Sequence, residues 1–377
     1  MPSSLVHVVG ARPNFMKAAP VIRALRSLGV EQRLLHTGQH YDTALSDVFF
    51  TDLDLPQPDI SLGVGSGSHA AQTAAIMVAL EAVLIGEPAP LVVVYGDVNS
   101  TIAAAIVCAK LGIPTAHVEA GLRSFDRSMP EEINRLVTDA LAELLFVTSP
   151  EGMENLAREG VGDDRMHFVG NPMIDTLLVH LDRFDPLPVR ERLGLPERYA
   201  VATLHRPTNV DTPEAAGRLV AALGRAGTRL QIVFPVHPRG RQMLESVGLG
   251  DLASVQVVEP LGYIDFISLV RGSAAVITDS GGIQEETTIL GVPCLTLRAN
   301  TERPITITHG TNRLVSPETL TGALDDALGG AQSSPAVGPP LWDGHAGERI
   351  AAVIAEWLGR RGSERRRSRR ASPSAGR

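Results

Sequence analysis

One stretch of this sequence has the residue types and spacing of a phosphate-binding site: Thr-Asp-Ser-Gly-Gly-Ile-Gln-Glu-Glu at residues 278–286. It follows a short apolar run whose length and branched side chains are typical of a buried strand. Ser280 can then cap the next helix, and Gly281 and Gly282 let a phosphate approach its first free N–H groups. Glu286 follows about one turn later, either as a capping carboxylate or as an acceptor for a hydroxyl-rich group. The pattern favours a phosphorylated sugar or a nucleotide as ligand.

Three carboxylates occupy strand ends or a helix start in the first half of the chain. Asp97 and Glu119 each come at the end of an apolar, strand-like run, and Glu131 opens a helical pattern. Because parallel strands end at one edge of a sheet, we expect these groups to converge and their repulsion to raise at least one pKa. Such a set suits acid–base chemistry. Taken singly, Asp97 is also explained as a helix cap, and Glu131 with Arg135 as a helical ion pair.

Cations and imidazoles are also predicted at strand ends, where fixed positive charge suits a diphosphate. The first strand lacks the Gly-x-Gly-x-x-Gly pattern that binds dinucleotides, so we expect no nicotinamide cofactor. No Cys/His set has the spacing of a zinc site. Two consecutive strands of the second half end in His with Arg nearby, which favours phosphate binding over a purely structural role. The candidate side chains are Arg12, Lys17, His205, Arg206, His237 and Arg303.

The composition is that of a globular protein with aliphatic cores, since 44% of the 377 residues are hydrophobic and 4% are aromatic. At this length two domains are the default. Cys108 and Cys294 stand in apolar surroundings, so we expect free thiols in a reducing cytoplasm rather than a disulfide. We expect no apolar run long enough to span a membrane, and the N-terminal residues are typical of a strand, not of a signal peptide.

The net charge of −8 is unevenly distributed. Residues 359–377 hold eight arginines and one glutamate, a net charge of +7 that leaves −15 on the rest of the chain. An acidic body argues against nucleic acid as the main partner. The basic tail is rich in Arg, Ser, Pro and Gly and is predicted to be disordered, with contact to RNA or anionic lipid as the alternative.

Strand and helix patterns alternate along the chain, with a break near residue 170. Two successive βαβ series predict two parallel sheets covered by helices, with functional loops at the carboxyl ends of the strands. We place an N-terminal domain at 1–170, a C-terminal domain at 171–345 and a last helix at 346–358. The predicted strands are 5–9, 33–36, 91–95, 115–118, 144–147, 166–169, 199–204, 230–235, 255–258, 274–278, 293–297 and 313–315.

The ordered set of motifs resembles the non-hydrolysing UDP-N-acetylglucosamine 2-epimerases over most of the chain. The motifs are Gly-x-Arg-Pro with Lys17, Thr37-Gly38-Gln39-His40, Gly96-Asp97, His117-Val118-Glu119-Ala120-Gly121-Leu122-Arg123, Pro130-Glu131-Glu132-x-Asn134-Arg135, His205-Arg206, the 278–286 stretch and Glu302-Arg303-Pro304. The resemblance implies an α/β fold of two Rossmann-like domains facing a central cleft, a GT-B-like arrangement in which the last helix crosses back onto the first domain. It also implies a UDP-sugar substrate, no cofactor and a homodimer.

The resemblance also implies roles for single residues. Those that match catalytic positions are Asp97, Glu119, Glu131 and His205. Those expected to bind the substrate are Arg12, Lys17, Gln39, Arg135, Arg206, His237, Phe266, Ser280, Gly281, Gly282, Glu286 and Arg303. In this mapping the residues from Ser280 to Gly282 face the diphosphate, Glu286 accepts from the ribose hydroxyls, and backbone near Phe266 contacts the uracil. Asp42 and Ser68 resemble archaeal-type members more than the bacterial members that a second substrate molecule activates.

The chemistry implied starts from a C2–H bond of very low acidity, because the acetamido group is attached through nitrogen. Without a nicotinamide, the remaining route is loss of UDP from C1 while a base removes the C2 proton, giving a 2-acetamidoglucal to which UDP returns. This route needs acid–base groups on both faces of the ring and donors that stabilise departing UDP. Three alternatives stay open: a hydrolysing epimerase that releases N-acetylmannosamine, a B-type glycosyltransferase and a non-catalytic UDP-sugar sensor.

Overall fold

The structure is a computed structural model that describes residues 4–39, 56–236, 238–330 and 338–371. His237, an expected substrate-binding residue, and Asp42 lie outside the described residues. The chain divides into two compact units. The described residues of the first unit fall within 1–121, 126–176 and 341–377, and those of the second fall within 122–125 and 177–340.

Every predicted strand is present, with ends that differ by two residues at most. The strands in chain order are β1 (Leu5–Val9), β2 (Gln32–His36), β3 (Ile60–Ser61), β4 (Val92–Tyr95), β5 (Thr115–Ala120), β6 (Leu144–Val147), β7 (Met166–Phe168), β8 (Tyr199–Thr203), β9 (Gln231–Pro235), β10 (Val255–Val258), β11 (Ala275–Thr278), β12 (Cys294–Leu297) and β13 (Asn312–Val315). The strand not predicted is β3, whose two residues at a sheet edge are too short to show a pattern in sequence.

The strands form one parallel sheet in each unit, which confirms the predicted class. Among the described residues the first sheet has the order β3-β2-β1-β4-β5-β6-β7, and the second has the order β10-β9-β8-β11-β12-β13. The direction of the order reverses between β1 and β4 in the first sheet and between β8 and β11 in the second. In open α/β sheets such reversals are the places where ligands bind, beyond the carboxyl ends of the strands.

Helices connect the strands of both sheets. The described helices in chain order are α1 (Arg12–Ser27), α2 (His69–Gly86), α3 (Asn99–Leu111), α4 (Pro130–Leu141), α5 (Pro150–Arg158), α6 (Pro172–Val179), α7 (Pro186–Arg192), α8 (Pro207–Val210), α9 (Pro213–Gly227), α10 (Pro238–Ser246), α11 (Tyr263–Arg271), α12 (Gly281–Leu290), α13 (Ile305–Thr308), α14 (Leu320–Leu328) and α15 (Ala346–Ala371). Many begin with proline, whose fixed backbone angle and missing N–H suit the first helical position.

The central strands are apolar along their length because helices cover both of their faces. All residues of β1 and β4 are buried in the first unit, as are those of β11 and β12 in the second. The cores they form are aliphatic: Val6, Leu80 and Val94 belong to one such core, and Ile232 and Leu295 belong to another. These rigid strands fix the positions of the loops that follow them.

The C-terminal helix α15 belongs to the first unit and is longer than predicted. Its first N–H groups, at Ala346 and Gly347, donate to the carboxylate of Asp175 at 3.2 Å and 2.7 Å. A side chain at Gly347 would meet the backbone of Pro20, so the helix lies directly on α1. The helix extends to Ala371, past residue 359, where we predicted that disorder begins. Disorder was predicted from the low apolar content of this segment, but arginine is also a strong helix former.

Helix α2 is the place in the described chain where the expectation of no membrane-spanning apolar run meets an exception in length and composition. It has 18 residues and a composition apolar enough to cross a membrane, and 22% of it is buried. Its buried residues Leu80 and Leu84 pack into the core beneath the first sheet, so the helix also serves as a cover for that sheet. The outward residues include Val78 and Ile85, both of them well exposed.

Candidate active site

The candidate residues follow the strands at the two reversal points. In the first unit, α1 with Arg12 and Lys17 follows β1, and Asp97 follows β4. In the second unit, His205 follows β8 and Ser280 follows β11. The pairing of β8 with β11 sets Thr203 beside Thr278, so the loops after these strands start side by side. Each set therefore stands where its own sheet offers a binding position.

Lys17 and Glu119 form a buried ion pair in the first unit. Lys17 lies on α1 and Glu119 lies near the end of β5, and both side chains are excluded from solvent. Gly96, between β4 and Asp97, leaves the room for this pair, because a Cβ there would be 3.0 Å from both charged groups. The ammonium group of Lys17 therefore contacts the carboxylate of Glu119, a predicted catalytic residue.

The backbone at Glu119 is strained. Its φ angle is +79°, in the left-handed region that non-glycine residues seldom occupy, and the pairing of β5 with β6 shifts register between Val118 and Ala120. Such strain costs about 1–3 kcal/mol and is concentrated at functional sites. The irregularity turns the Glu119 side chain away from the position it would take in a regular strand, which sequence patterns do not reveal.

Asp97 has an arginine partner that also comes from the predicted site. Arg135 donates to Asp97 at 2.5 Å and to Glu132 at 2.6 Å, and Asn134 donates to the Asp97 carbonyl at 2.8 Å. Arg135 is 1% exposed, and these contacts join it to a residue of its own helix and to the residue that follows β4 by two positions. Asp97 and Glu119 thus each have a cation beside them, Arg135 for Asp97 and Lys17 for Glu119.

The other candidates of the first unit lie around this pair of contacts. Glu131 is half-buried in the first turn of α4, where the helix dipole favours a carboxylate. Arg12 is the first residue of α1. The Gln39 side chain accepts from the Ser100 N–H at 2.9 Å and from its hydroxyl at 2.7 Å. Gln39 therefore caps α3, whose own N-cap residue Val98 has no polar side chain to do so.

In the second unit, Asp279 organises the loop that carries His205. Its buried carboxylate accepts the N–H groups of His205 at 3.1 Å and Arg206 at 2.9 Å, and the Asn209 amide at 2.9 Å. The imidazole Nδ1 of His205 lies 3.3 Å from the same carboxylate. Asp279 was not among the predicted site residues. Its place between a buried strand and a glycine-rich helix start was the available signal.

The start of α12 is tightly packed against an arginine. The N-cap residue Ser280 uses no side-chain cap, and Ser280, Gly281 and Gly282 are all partly exposed. A Cβ at Gly281 would be 2.8 Å from a carboxylate oxygen of Glu302 and closer still to the guanidinium of Arg303. Glycine is thus required here for the close approach of Arg303 to a helix terminus that attracts anions.

Three guanidinium groups gather around the carboxylates beside this helix. Arg303 donates to Glu285 at 2.8 Å and also pairs with Glu302. Arg298 pairs with Glu302 at 2.6 Å, and Arg206 lies 3.8 Å from it. Arg206 and Arg303, predicted separately from two loops, are therefore brought together on one carboxylate.

Glu286 is buried, with 2% of its surface exposed. The hydroxyl of Tyr263 donates to it at 3.1 Å. Burial, helped by neighbouring Glu285, raises the pKa of Glu286 to about 8, against a lowering effect of the Tyr263 hydrogen bond. Phe266 lies on α11 one turn after Tyr263, and its N–H donates to Gly262 at 2.9 Å. The predicted ribose acceptor thus already holds a hydroxyl group.

Two parallel α/β units with such sites at their reversal points define a GT-B-like nucleotide-sugar enzyme class, and comparison with known proteins agrees. The family model for UDP-N-acetylglucosamine 2-epimerase matches residues 23–355. The chain belongs to this family.

Individual relatives span nearly the whole chain. A UDP-N-acetylglucosamine 2-epimerase of Methanocaldococcus jannaschii is 39% identical over 359 residues, covering 92% of this chain and 97% of the relative. A UDP-2,3-diacetamido-2,3-dideoxy-D-glucuronate 2-epimerase of Pseudomonas aeruginosa is 37% identical over 362 residues, covering 94% and 99%. The crystal structure of the Methanocaldococcus jannaschii UDP-GlcNAc 2-epimerase with UDP-GlcNAc and UDP superposes with a TM-score of 0.88 at 38% identity, covering 94% of this chain and 99% of that one.

Proposed function

We propose that this protein interconverts UDP-N-acetylglucosamine and UDP-N-acetylmannosamine by removing and returning UDP, without hydrolysis. The observation that carries the proposal is the pair of carboxylates at neighbouring strand ends, Asp97 and Glu119, each held by its own buried cation. Two acid–base groups on one sheet edge are what inversion at C2 requires, because a proton must leave one face of the sugar and arrive on the other.

The second unit supplies the groups suited to the nucleotide. The amides at the start of α12 and the arginines Arg206 and Arg303 stabilise negative charge on a diphosphate. Glu286 accepts hydrogen bonds from the ribose hydroxyls in place of the Tyr263 hydroxyl. A relative with UDP-GlcNAc and UDP in its crystal structure supports a substrate of this class. By the same family resemblance we propose a cytoplasmic homodimer.

The reaction balances without a redox partner. A base takes the C2 proton, the electrons of the C2–H bond form the C1–C2 double bond, and the C1–O bond breaks with its electrons on UDP. An acid then returns a proton to C2 on the other face, and UDP adds back to C1. Asp97, Glu119 and Glu131 serve the sugar, and His205, oriented by Asp279, serves the leaving phosphate or C2. Lys17 and Arg135, beside Glu119 and Asp97, provide fixed positive charge near the groups whose charge changes during the reaction.

Incubation of the protein with UDP-N-acetylglucosamine in heavy water tests the proposal. We expect proton NMR to show UDP-N-acetylmannosamine with deuterium at C2 and no free N-acetylmannosamine. Free sugar with UDP would instead indicate a hydrolysing enzyme, and no C2 exchange would contradict an epimerase altogether. A parallel incubation with a UDP-2,3-diacetamido uronate tests whether this protein acts instead on the sugar for which the Pseudomonas aeruginosa relative is named.

Amide variants test the named residues. Asp97→Asn and Glu131→Gln should abolish turnover and leave UDP affinity within about threefold, because the nucleotide groups lie elsewhere. The exposed Asp163, in the turn before β7, gives a matched control: Asp163→Asn changes a carboxylate to an amide in the same unit and should retain full activity.

A further inference from the structure

A second buried pair, His117 and Asp139, lies among the elements that carry the catalytic carboxylates. His117 is in the middle of β5 and Asp139 is on α4, and neither is accessible to solvent. The imidazole Nδ1 is 2.6 Å from an Asp139 oxygen, and Nε2 is 2.8 Å from the carbonyl oxygen of Gly96. The other Asp139 oxygen accepts the N–H of Gly121 at 3.1 Å.

The partners determine where the hydrogens are. A backbone carbonyl can only accept, so Nε2 of His117 carries a hydrogen and donates it to Gly96. The Asp139 oxygen that accepts from Gly121 carries none. Nδ1 and the remaining Asp139 oxygen are joined by the short hydrogen bond between the two side chains. The two side chains thus form one continuous bridge from Gly96 to Gly121.

The ends of this bridge are the residues that set the backbone beside the catalytic groups. Gly96 has φ +61° and immediately precedes Asp97. Gly121 has φ +82° and follows Glu119 by two residues, just after the irregularity in β5. Asp139 anchors the bridge on α4. The same helix carries Glu131 and also Arg135, which contacts Asp97.

We propose that His117 and Asp139 are positioning residues, which hold the backbone at Gly96 and Gly121 and so fix the carboxylates of Asp97 and Glu119 for catalysis. The inference rests on the proposed function. It assigns a role to the histidine of the His-Val-Glu-Ala-Gly motif, whose side chain is fully buried. Misplacement of a catalytic group by about 1 Å can lower a rate about 100-fold.

The test separates positioning from stability. Asp139→Ala breaks both bonds of the carboxylate, and we expect kcat for C2 epimerisation to fall about 100-fold with the UDP dissociation constant within about threefold of wild type. In Asp139→Asn, the amide can donate to Nδ1 and its oxygen can accept from Gly121, so most of kcat should return. If Asp139→Ala does not fold, the double variant His117→Phe, Asp139→Leu replaces the buried pair by apolar groups, which folds tolerate well.

His7 provides the matched control. It is a fully buried histidine in β1 of the same sheet, bonded to Tyr95 at 2.7 Å and Gln32 at 2.8 Å. His7→Gln should lower stability and leave kcat per folded molecule unchanged. The positioning role is overturned if Asp139→Ala or the double variant keeps wild-type kcat, or if Asp139→Asn is as slow as Asp139→Ala. A wild-type protein that exchanges no C2 hydrogen contradicts the proposed function itself and, with it, this inference.

Discussion

The carboxylate of Asp279 lies 3.3 Å from Nδ1 of His205 and also accepts the backbone N–H of that histidine. One buried side chain thus fixes both the position and the ring orientation of a candidate catalytic imidazole. A carboxylate on one ring nitrogen sets the tautomer and leaves the other nitrogen to act on a substrate. The contact joins the loops after β8 and β11, at the reversal point of the second sheet.

Asp279→Asn should disrupt this arrangement although it changes few atoms. The new amide group would face the N–H groups of His205, Arg206 or Asn209, donor against donor. We expect kcat to fall roughly 100-fold and the free energy of unfolding to fall by about 2 kcal/mol. Steady-state kinetics and urea unfolding measure both. Asp265→Asn, at an exposed ion pair with Arg192, is the control and should change neither. An Asp279→Asn enzyme with wild-type kcat would show that Asp279 does not orient His205 for catalysis.

The site shows what sequence reasoning reaches and where it stops. The strand ends at Asp97, Glu119 and His205 were predictable, because buried apolar runs in a parallel sheet bring their carboxyl ends to one edge. The contact between Arg135 and Asp97 was not predictable, since helix spacing relates Arg135 to Glu131, whereas Asp97 lies in the turn after β4. Gln39 likewise caps a helix that is distant in sequence. Tertiary hydrogen bonds of this kind leave no local pattern.

Lys17→Met tests the buried pair of the first unit. It leaves the Glu119 carboxylate buried without this cation, which should lower the free energy of unfolding by about 3–5 kcal/mol. The double variant Lys17→Met, Glu119→Gln removes both charges and should recover most of that loss, but it should stay inactive because Glu119 is needed in catalysis. A double-mutant cycle measures the coupling. Additive effects on stability would contradict the pair as described.

Glu286→Gln should change how stability depends on pH. The pKa of Glu286 is raised from 4.5 to about 8 in the folded protein. Between these values the unfolded chain loses a proton that the folded chain keeps, so this residue lowers stability progressively as pH rises through the window. The variant should therefore be more stable than wild type at about pH 8, by on the order of 4 kcal/mol, with the difference vanishing below about pH 4.5.

Urea unfolding of both proteins across this range provides the comparison. Glu259→Gln is the control, since the side chain of Glu259 is 80% exposed and should give no pH-dependent difference. Parallel stability curves for wild type and Glu286→Gln would show that Glu286 is ionised like an ordinary surface carboxylate.

Gly281→Ala tests the close approach at the start of α12. The added methyl group would meet Arg303 and Glu302 and displace the guanidinium from the helix terminus. We expect UDP affinity to fall about tenfold or more, as measured by calorimetry. Gly217, inside α9, has open space around it, so Gly217→Ala should raise stability by about 1 kcal/mol and leave UDP affinity unchanged. Equal UDP affinity in both variants would rule out a phosphate at this terminus.

The central strands were easier to predict from sequence than the short edge strand or the end of the last helix. Continuous apolar runs such as those of β4 and β11 indicate strands buried on both faces. The two-residue β3 has too few positions to show a period. The extension of α15 depends on arginines whose helix propensity exceeds what their polarity suggests, and Arg361 stacks on Trp357 at 4.5 Å. Composition alone predicts disorder there, whereas local propensity and side-chain packing favour the helix.

Loss and return of UDP are tested most directly by following the oxygen that joins the sugar to UDP. UDP-N-acetylglucosamine labelled with heavy oxygen at this bridging position is incubated with the enzyme, and the label is located by phosphorus NMR. Once the C1–O bond has broken, the oxygens of the terminal phosphate become equivalent, so we expect label to move to non-bridging positions as UDP-N-acetylmannosamine forms. Epimerised product with every label still in the bridge would show that UDP never leaves, and would contradict the proposed loss and return of UDP.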